Sequence, residues 1–217
     1  MQAANQYADL LHEWNQKINL TRITTPEDIR IKHFLDSLSC QIAMQGSPVD
    51  AVIDVGTGGG FPGLPLRLLY PEMRLTLVES IAKKTTFLSL VVQELGLDHV
   101  QVVTNRAENV GQDPTHREQY AWAVARAVSG LPVLAEYLLP LVRVGGFMLA
   151  QKGATAPEEL ETAAAAIETL GGKFKELIPI SLPDVEGDRY LVVIEKIAPT
   201  PQKYPRRPGM PAKRPLG

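Results

Sequence analysis

Ala51-Val-Ile-Asp54-Val-Gly56-Thr-Gly58-Gly59-Gly60-Phe61-Pro62-Gly63 joins a short apolar run to a glycine-rich stretch, and its reading decides the fold. A run such as Ala51–Val55, broken only by Asp54, is a strand buried on both faces, the habit of a parallel sheet covered by helices. Glycines allow positive φ and let a ligand approach the backbone where a Cβ would otherwise stand. In an open α/β sheet, ligands lie beyond the carboxyl ends of the strands, where this loop falls. Five glycines within the eight positions Gly56 to Gly63 exceed what a ligand-free turn requires.

Downstream, apolar runs alternate with helical stretches. Strands are expected at Ala51–Val55, Arg74–Glu79, Val100–Thr104, Ala121–Ala125 and Phe147–Gln151, with helices near Leu64–Leu69, Ile81–Leu95, Leu131–Leu139 and Pro157–Leu170. Two closing strands, Phe174–Ser181 and Arg189–Glu195, flank the turn-rich Pro183-Asp-Val-Glu-Gly-Asp188, which suits a hairpin rather than a crossover. Upstream the period is helical. Tyr7, Leu10, Leu11, Trp14 and Ile18 fall on one helix face, and Thr25-Pro26-Glu27-Asp28 opens a second helix running to about Met44 before Gly46-Ser47-Pro48. The expected architecture is a doubly wound, mostly parallel, seven-stranded α/β sheet (49–198) with an N-terminal helical extension (1–48) and a basic, proline-rich tail (199–217).

A chain of 217 residues, 45% of them hydrophobic, buries enough surface to fold without staples, and a single cysteine with four scattered histidines offers no disulfide or metal cluster. Asp9 and Glu13 interrupt the N-terminal segment, so it does not read as an export signal, and Glu136, Pro140 and Arg143 break the most apolar region. A cytoplasmic protein without a membrane partner is expected, with a monomer as the default. Net charge is −2, yet the tail carries five basic residues and no acid, leaving −7 on the rest. Such a tail is either solvated or aimed at an anionic partner.

The ligand is less readily named, because Gly58 to Gly63 also satisfies the dinucleotide pattern G-x-G-x-x-G. Glu79, closing the second strand, suits the hydroxyl pair of a ribose in either a nicotinamide or an adenosyl ligand. Asp54 distinguishes them. A carboxylate beside the loop attracts an ammonium group and repels a pyrophosphate. Ala107-Glu108, after the third strand, offers a small residue and an acid to border an adenine, although Glu108 also fits a helix start. The form Asp54-x-Gly56-x-Gly58-x-Gly60 is typical of methyltransferases, whose ligand carries a sulfonium and an ammonium but no pyrophosphate; the alternatives are an NAD(P)-dependent oxidoreductase and a non-catalytic RNA-binding or ribosome assembly factor.

Trp14-Asn15-Gln-Lys17-Ile-Asn19-Leu20-Thr21, His33-Phe-Leu-Asp36-Ser37-Leu38, the Asp54–Gly63 loop, Val78-Glu79-Ser80, Asn105-Arg106-Ala107-Glu108, Arg126-Ala127-Val128, Lys152-Gly153 and Tyr204-Pro-Arg206-Arg207-Pro-Gly209 occur in this order. On these motifs the chain resembles the glucose-inhibited division protein B family (RsmG), bacterial methyltransferases that modify N7 of a guanosine in small-subunit ribosomal RNA. The resemblance implies a class I, Rossmann-like methyltransferase with S-adenosyl-L-methionine as cofactor and the small-subunit RNA or small ribosomal subunit as partner. It implies that Gly56, Gly58 and Phe61 line the methionine side of the cofactor, Glu79 its ribose and Ala107-Glu108 its adenine, with Arg126 beside it and facing the RNA. Asp54 joins this set, and Lys152, His33, Arg206 and Arg207 join Arg126 as candidate RNA contacts.

Guanine N7 carries an in-plane lone pair in the neutral base, so the reaction implied needs no general base and no catalytic acid, base or nucleophile is nominated. Positioning is the expected contribution, with Arg126 placing the base. His33, Asp36 and Ser37 superficially suggest a hydrolytic triad, but neighbours on a helix without a G-x-S-x-G elbow do not form one. His33 also suits a structural role between extension and sheet. Lys83, Lys84 and Arg106 can add to a phosphate-binding rim or be solvated surface charges.

Overall fold

The computed structural model describes residues 2–217 and contains strands β1 (Ala51–Val55), β2 (Arg74–Glu79), β3 (Val100–Thr104), β4 (Tyr120–Arg126), β5 (Val142–Lys152), β6 (Gly172–Ile180) and β7 (Arg189–Lys196). They form one sheet in the order β3-β2-β1-β4-β5-β7-β6. β1 to β5 are parallel, and β7 runs antiparallel between β5 and β6. The chain winds outward from β1 through β2 to β3, then crosses back to β4, leaving a crevice at the β1/β4 boundary where a doubly wound sheet binds ligands.

Alternation along the strands divides the core in two. Val52, Leu75, Leu77, Trp122 and Val124 face a cluster with Tyr7, Leu11, Phe61 and Phe87, whereas Ile53, Val55, Val78, Ala123 and Ala125 face Leu134, Leu138 and Ile167. Asp54 follows Val52 in this period and so lies on the side covered by the extension. β1, β2 and β3 begin and end where the sequence pattern places them, and β4 is one residue longer at each end. β5 starts earlier than expected because Val142 pairs with Tyr120 ahead of a register irregularity, where Gly145 adopts φ +85° and a Cβ on Gly146 would stand 2.7 Å from Ala121 O. That is a contact with a neighbouring strand, which local pattern cannot register.

The extension comprises the Gln2–Ile18 helix, with Tyr7 and Leu11 fully buried, and a second helical run from Pro26 to Met44. Burying Leu11 alone contributes about 1.5–3 kcal/mol. Thr25 caps the second run through a 3.2 Å bond from Asp28 N to its Oγ1, and Pro26 occupies the first turn. The run is not a uniform α-helix. Ile29–Leu35 is π-helical, a widened turn common at functional sites. The short Ala107–Gln112 and Met210–Lys213 helices were also outside the sequence expectation.

The tail corrects the picture of a free basic arm. Tyr204 is buried, and the Arg206 guanidinium grips the fully buried Glu136 carboxylate with bonds of 2.6, 2.9 and 3.1 Å. Arg206 N adds a fourth bond at 2.8 Å. Arg206, expected to reach for RNA, is therefore an internal counter-ion, while Arg207 is exposed. Arg206→Ala leaves a buried carboxylate unpaired and is expected to cost about 3–5 kcal/mol. Urea unfolding at pH 7 measures this; an unchanged midpoint would return Arg206 to the solvated tail.

Candidate active site

Strand β1 delivers the glycine loop to the carboxyl edge of the sheet. Gly56 N and Thr57 N both donate to Val78 O, at 2.8 and 3.2 Å, and the loop closes on the Asp54 side chain. Asp54 Oδ2 accepts from Thr57 Oγ1 at 2.6 Å and from Gly63 N at 2.8 Å. Gly63 opens the Gly63–Leu69 helix, and a Cβ there would stand 2.9 Å from the same oxygen. Gly60, at φ +99°, lies so close to Leu64 that a Cβ would stand 2.5 Å from its Cδ1. Asp54 is wholly buried, and desolvation raises its pKa to about 6 despite the opposing bonds from Thr57 and Gly63. Among the described residues its Oδ1 has no hydrogen-bond partner.

Two openings flank the chain segment that follows β4. The first, a cavity of about 220 Å³, is lined by Gly56, Glu79, Ala107, Glu108, Val128 and Tyr137, with Gly209 and Ala212 from the tail. Glu79 Oε1 accepts from Ile81 N at 2.9 Å, while its Oε2 has Lys84 Nζ 3.8 Å away. Glu108 Oε1 accepts from Gly209 N at 2.8 Å. Burial, and then the Glu108 carboxylate, push Tyr137 up to about 12. A Cβ built on Gly58, at φ +59°, would meet nothing within 4 Å.

The second opening, about 410 Å³, is bordered by His33, Asp36, Arg126, Ala127, Lys152 and Arg189. Arg126 NH1 donates to Asp36 Oδ2 at 2.8 Å and to Lys32 O at 3.0 Å, and its NH2 lies 2.8 Å from His33 Nδ1. A guanidinium has no acceptor, so Nδ1 carries no proton and the imidazole is the neutral tautomer donating from Nε2 to Thr21 Oγ1, 2.8 Å away. Burial first, and then Arg126, lower the His33 pKa to about 3. Lys152 Nζ pairs with Glu159 Oε2 at 2.7 Å and donates to Ser129 O at 3.0 Å. Gln151 Nε2 donates to Asp36 O at 2.7 Å, but Gln151 Oε1 and Arg189 Nε, both buried, have no partner among the described residues. Ser37 donates to the His33 carbonyl at 2.6 Å and is fully buried, so His33, Asp36 and Ser37 form no nucleophilic relay.

The family profile described as GidB, rRNA small subunit methyltransferase G, matches residues 1–184. The chain belongs to the GidB family. The ribosomal RNA small subunit methyltransferase G of Alkaliphilus metalliredigens (strain QYMF) is 52% identical over 210 residues, covering 97% of this chain and 88% of that protein. Its counterpart in Roseiflexus castenholzii (strain DSM 13941 / HLO8) is 51% identical over 211 residues, covering 97% and 89%. Among solved structures, a SAM-dependent methyltransferase from Aquifex aeolicus superposes with TM-score 0.60 at 13% identity, over 82% of this chain and 97% of that one. A variant of the 16S rRNA (adenine(1408)-N(1))-methyltransferase from Catenulisporales acidiphilia gives TM-score 0.60 at 13% identity, over 74% and 92%. These structures establish the shared fold, that of class I methyltransferases.

Within this GidB-family fold, the residues singled out from sequence divide by position. Gly56, Glu79, Ala107 and Glu108 share the first cavity; Arg126, Lys152 and His33 share the second. Asp54 closes the loop from beneath rather than facing a cavity. Phe61 is 4% exposed, with its ring stacked on His33 at 4.5 Å and on Tyr7 at 5.2 Å, and the Arg126 guanidinium lies 5.2 Å from its centroid. It lines neither opening, contrary to the expected place beside the methionine. Gln151 and Arg189 were missed. Their signal was available: β7 runs antiparallel, so its first residues meet the carboxyl edge of β5, with Lys152 opposite Tyr190 and Gln151 opposite Leu191.

The depressed His33 pKa sets a sign for acid stability. Below 6.5 the unfolded chain takes up the proton while the folded imidazole resists it down to about 3, so the His33 contribution is complete above 6.5 and is lost as pH falls through that window. Asp54, raised to about 6, acts oppositely, because its cost grows as pH rises from 3.8. His33→Gln is expected to flatten the acid decline of unfolding free energy. Urea titrations of both proteins across this range test it, and parallel curves would refute it.

Proposed function

We propose that this chain transfers the methyl group of S-adenosyl-L-methionine to N7 of a guanosine in 16S, small-subunit, ribosomal RNA. The observation carrying the reading is the pair of openings at the carboxyl edge that share the segment Arg126-Ala127-Val128: Val128 borders the smaller cavity, and Arg126 and Ala127 border the larger cleft. One opening suits an adenosyl group and the other a base presented to it. Family membership and the names of its relatives supply the substrate class.

The residues fit the cofactor. The Glu79 carboxylate keeps one oxygen available for ribose hydroxyls, Ala107 and Glu108 border the adenine, and Gly58, where a Cβ would meet nothing within 4 Å, gives the methionyl end open backbone beside Gly56. A dinucleotide fits less well. The Gly63 N–H, which would face a pyrophosphate at the helix start, is already bonded to the Asp54 carboxylate. This favours the methyltransferase over an NAD(P)-dependent oxidoreductase. Bound here, S-adenosylmethionine supplies a methyl group made electrophilic by its sulfonium. The chain's own task is to align the acceptor: the guanine N7 lone pair attacks without losing a proton, so positioning across the Ala127 segment replaces a base. Arg126 serves by fixing Asp36, His33 and the π-helical turn at the cleft. We also assign the chain to the cytoplasm, acting as a monomer on the RNA or on the small subunit, with 199–217 as a strap continuous with the methyltransferase domain rather than a separate unit. Arg207, exposed on that strap, remains available to RNA.

Methyl transfer from labelled S-adenosylmethionine to small subunits of cells lacking this protein, followed by nucleoside analysis, tests the reading. Labelled 7-methylguanosine is expected; no incorporation into subunits or stripped RNA would overturn it. Glu79→Ala is expected to weaken S-adenosylhomocysteine binding about tenfold or more, as loss of charge-assisted hydrogen bonds implies, with little change in unfolding midpoint. Titration calorimetry distinguishes this from an unchanged affinity, which would remove Glu79 from the site.

A further inference from the structure

The segment after β7 crosses the body through a series of fixed points. Lys196, fully buried, donates to Leu139 O at 2.6 Å, and Thr200 N donates to Glu118 Oε1 at 2.8 Å. Arg117 holds Thr200 O and Tyr204 O, each at 2.7 Å. Pro205 then lies on Gly111, where a Cβ would stand 2.7 Å from its Cγ, and Arg206 locks onto Glu136. These anchors deliver Gly209 in the left-handed region, at φ +83°, with its N–H on Glu108 Oε1. The short turn Met210–Lys213 follows and brings Ala212 to the wall of the smaller cavity.

We infer that this strap is the outer wall of the adenosine pocket, with the Gly209 N–H bonded to Glu108 and Ala212 at the cavity wall. The inference rests on the cofactor reading above and assigns to the basic tail a task other than RNA capture. A carboxylate bordering an adenine recognises its exocyclic amine only if its rotamer is fixed. The Gly209 N–H fixes one Glu108 oxygen, and the fully buried Glu136 ion pair holds Gly209 in register three residues after Arg206. Ala212 stands where a larger side chain would project into the space claimed by the adenine. Cofactor affinity therefore depends on residues the GidB profile does not reach, since its match ends at 184.

The test is a size series at position 212 in the full chain, titrated calorimetrically with S-adenosylhomocysteine. Ala212 is exposed, so Ala212→Ser, Ala212→Leu and Ala212→Trp should melt close to the parent in the absence of ligand. Expected is a graded loss of affinity, slight for Ser and reaching about ten- to a hundredfold for Trp, as filling a packed site implies. The KM for S-adenosylmethionine should rise in parallel, with binding to small-subunit RNA unchanged. Affinities within twofold of the parent across the series would overturn the inference while leaving the cofactor reading intact, as would a loss confined to RNA binding. A parent chain that fails to bind S-adenosylhomocysteine would overturn both.

Discussion

A single buried carboxylate sets the geometry on which the rest of this molecule depends. Asp54 lies at the end of the central strand with no solvent contact, and its desolvation is offset by bonds from Thr57 and Gly63. Together they bend the glycine stretch back onto β1 and start the next helix directly beneath it. The cost is visible in the raised pKa, and removing the carboxylate would leave Gly63 N and the Thr57 hydroxyl unsatisfied. The same closure exposes Gly56 at the edge beside Glu79 and withdraws a helix start from any pyrophosphate. One interaction thus builds the loop and narrows its ligand.

The extension is joined to this frame through Arg126. A widened helical turn presents Lys32 O, His33 and Asp36 to one guanidinium, and the aromatic group of Tyr7, Phe34 and Phe61 packs behind it. The extension is therefore a side of the larger opening rather than an appended module. A substitution at Arg126 leaves Asp36 with only the 3.5 Å contact to Arg189 NH1, frees the Lys32 carbonyl and removes the cation from the face of Phe61. Fixed polar groups of this kind suit a reaction that needs alignment and moves no proton.

Most of the sheet was legible because buried parallel strands and amphipathic helices leave periodic traces, and the grouping of Gly56, Glu79, Ala107 and Glu108 at one cavity was legible because they stand at fixed offsets from strand ends. What escaped depended on partners distant in sequence. Phe61 is claimed by His33 and Tyr7, Arg206 by Glu136, Lys152 by Glu159, and no local pattern names those pairs. Lys152 and Arg206, read as RNA contacts, are paired with acids of the body, whereas Lys83, Arg106 and Arg207 are exposed. Proline and positive charge resemble disorder in composition, yet Tyr204 and Pro205 are buried against Arg117 and Gly111, which supply the missing apolar and polar satisfaction.

The two openings share the segment after β4, and its backbone explains how they stay distinct. Ala127 sits at φ +54°, a left-handed conformation unfavourable for a residue with a Cβ. That reversal turns Arg126 toward the extension and Val128 toward Gly56, where a Cβ on the glycine would stand 2.7 Å from Val128 Cγ2. The strain persists because Arg126 and Val128 are anchored on opposite sides, by His33 and Asp36 on one and by the loop on the other. The two openings are thus kept apart by a reversal at one residue and bordered by different terminal regions of the described chain, the strap at the smaller and the helical extension at the larger.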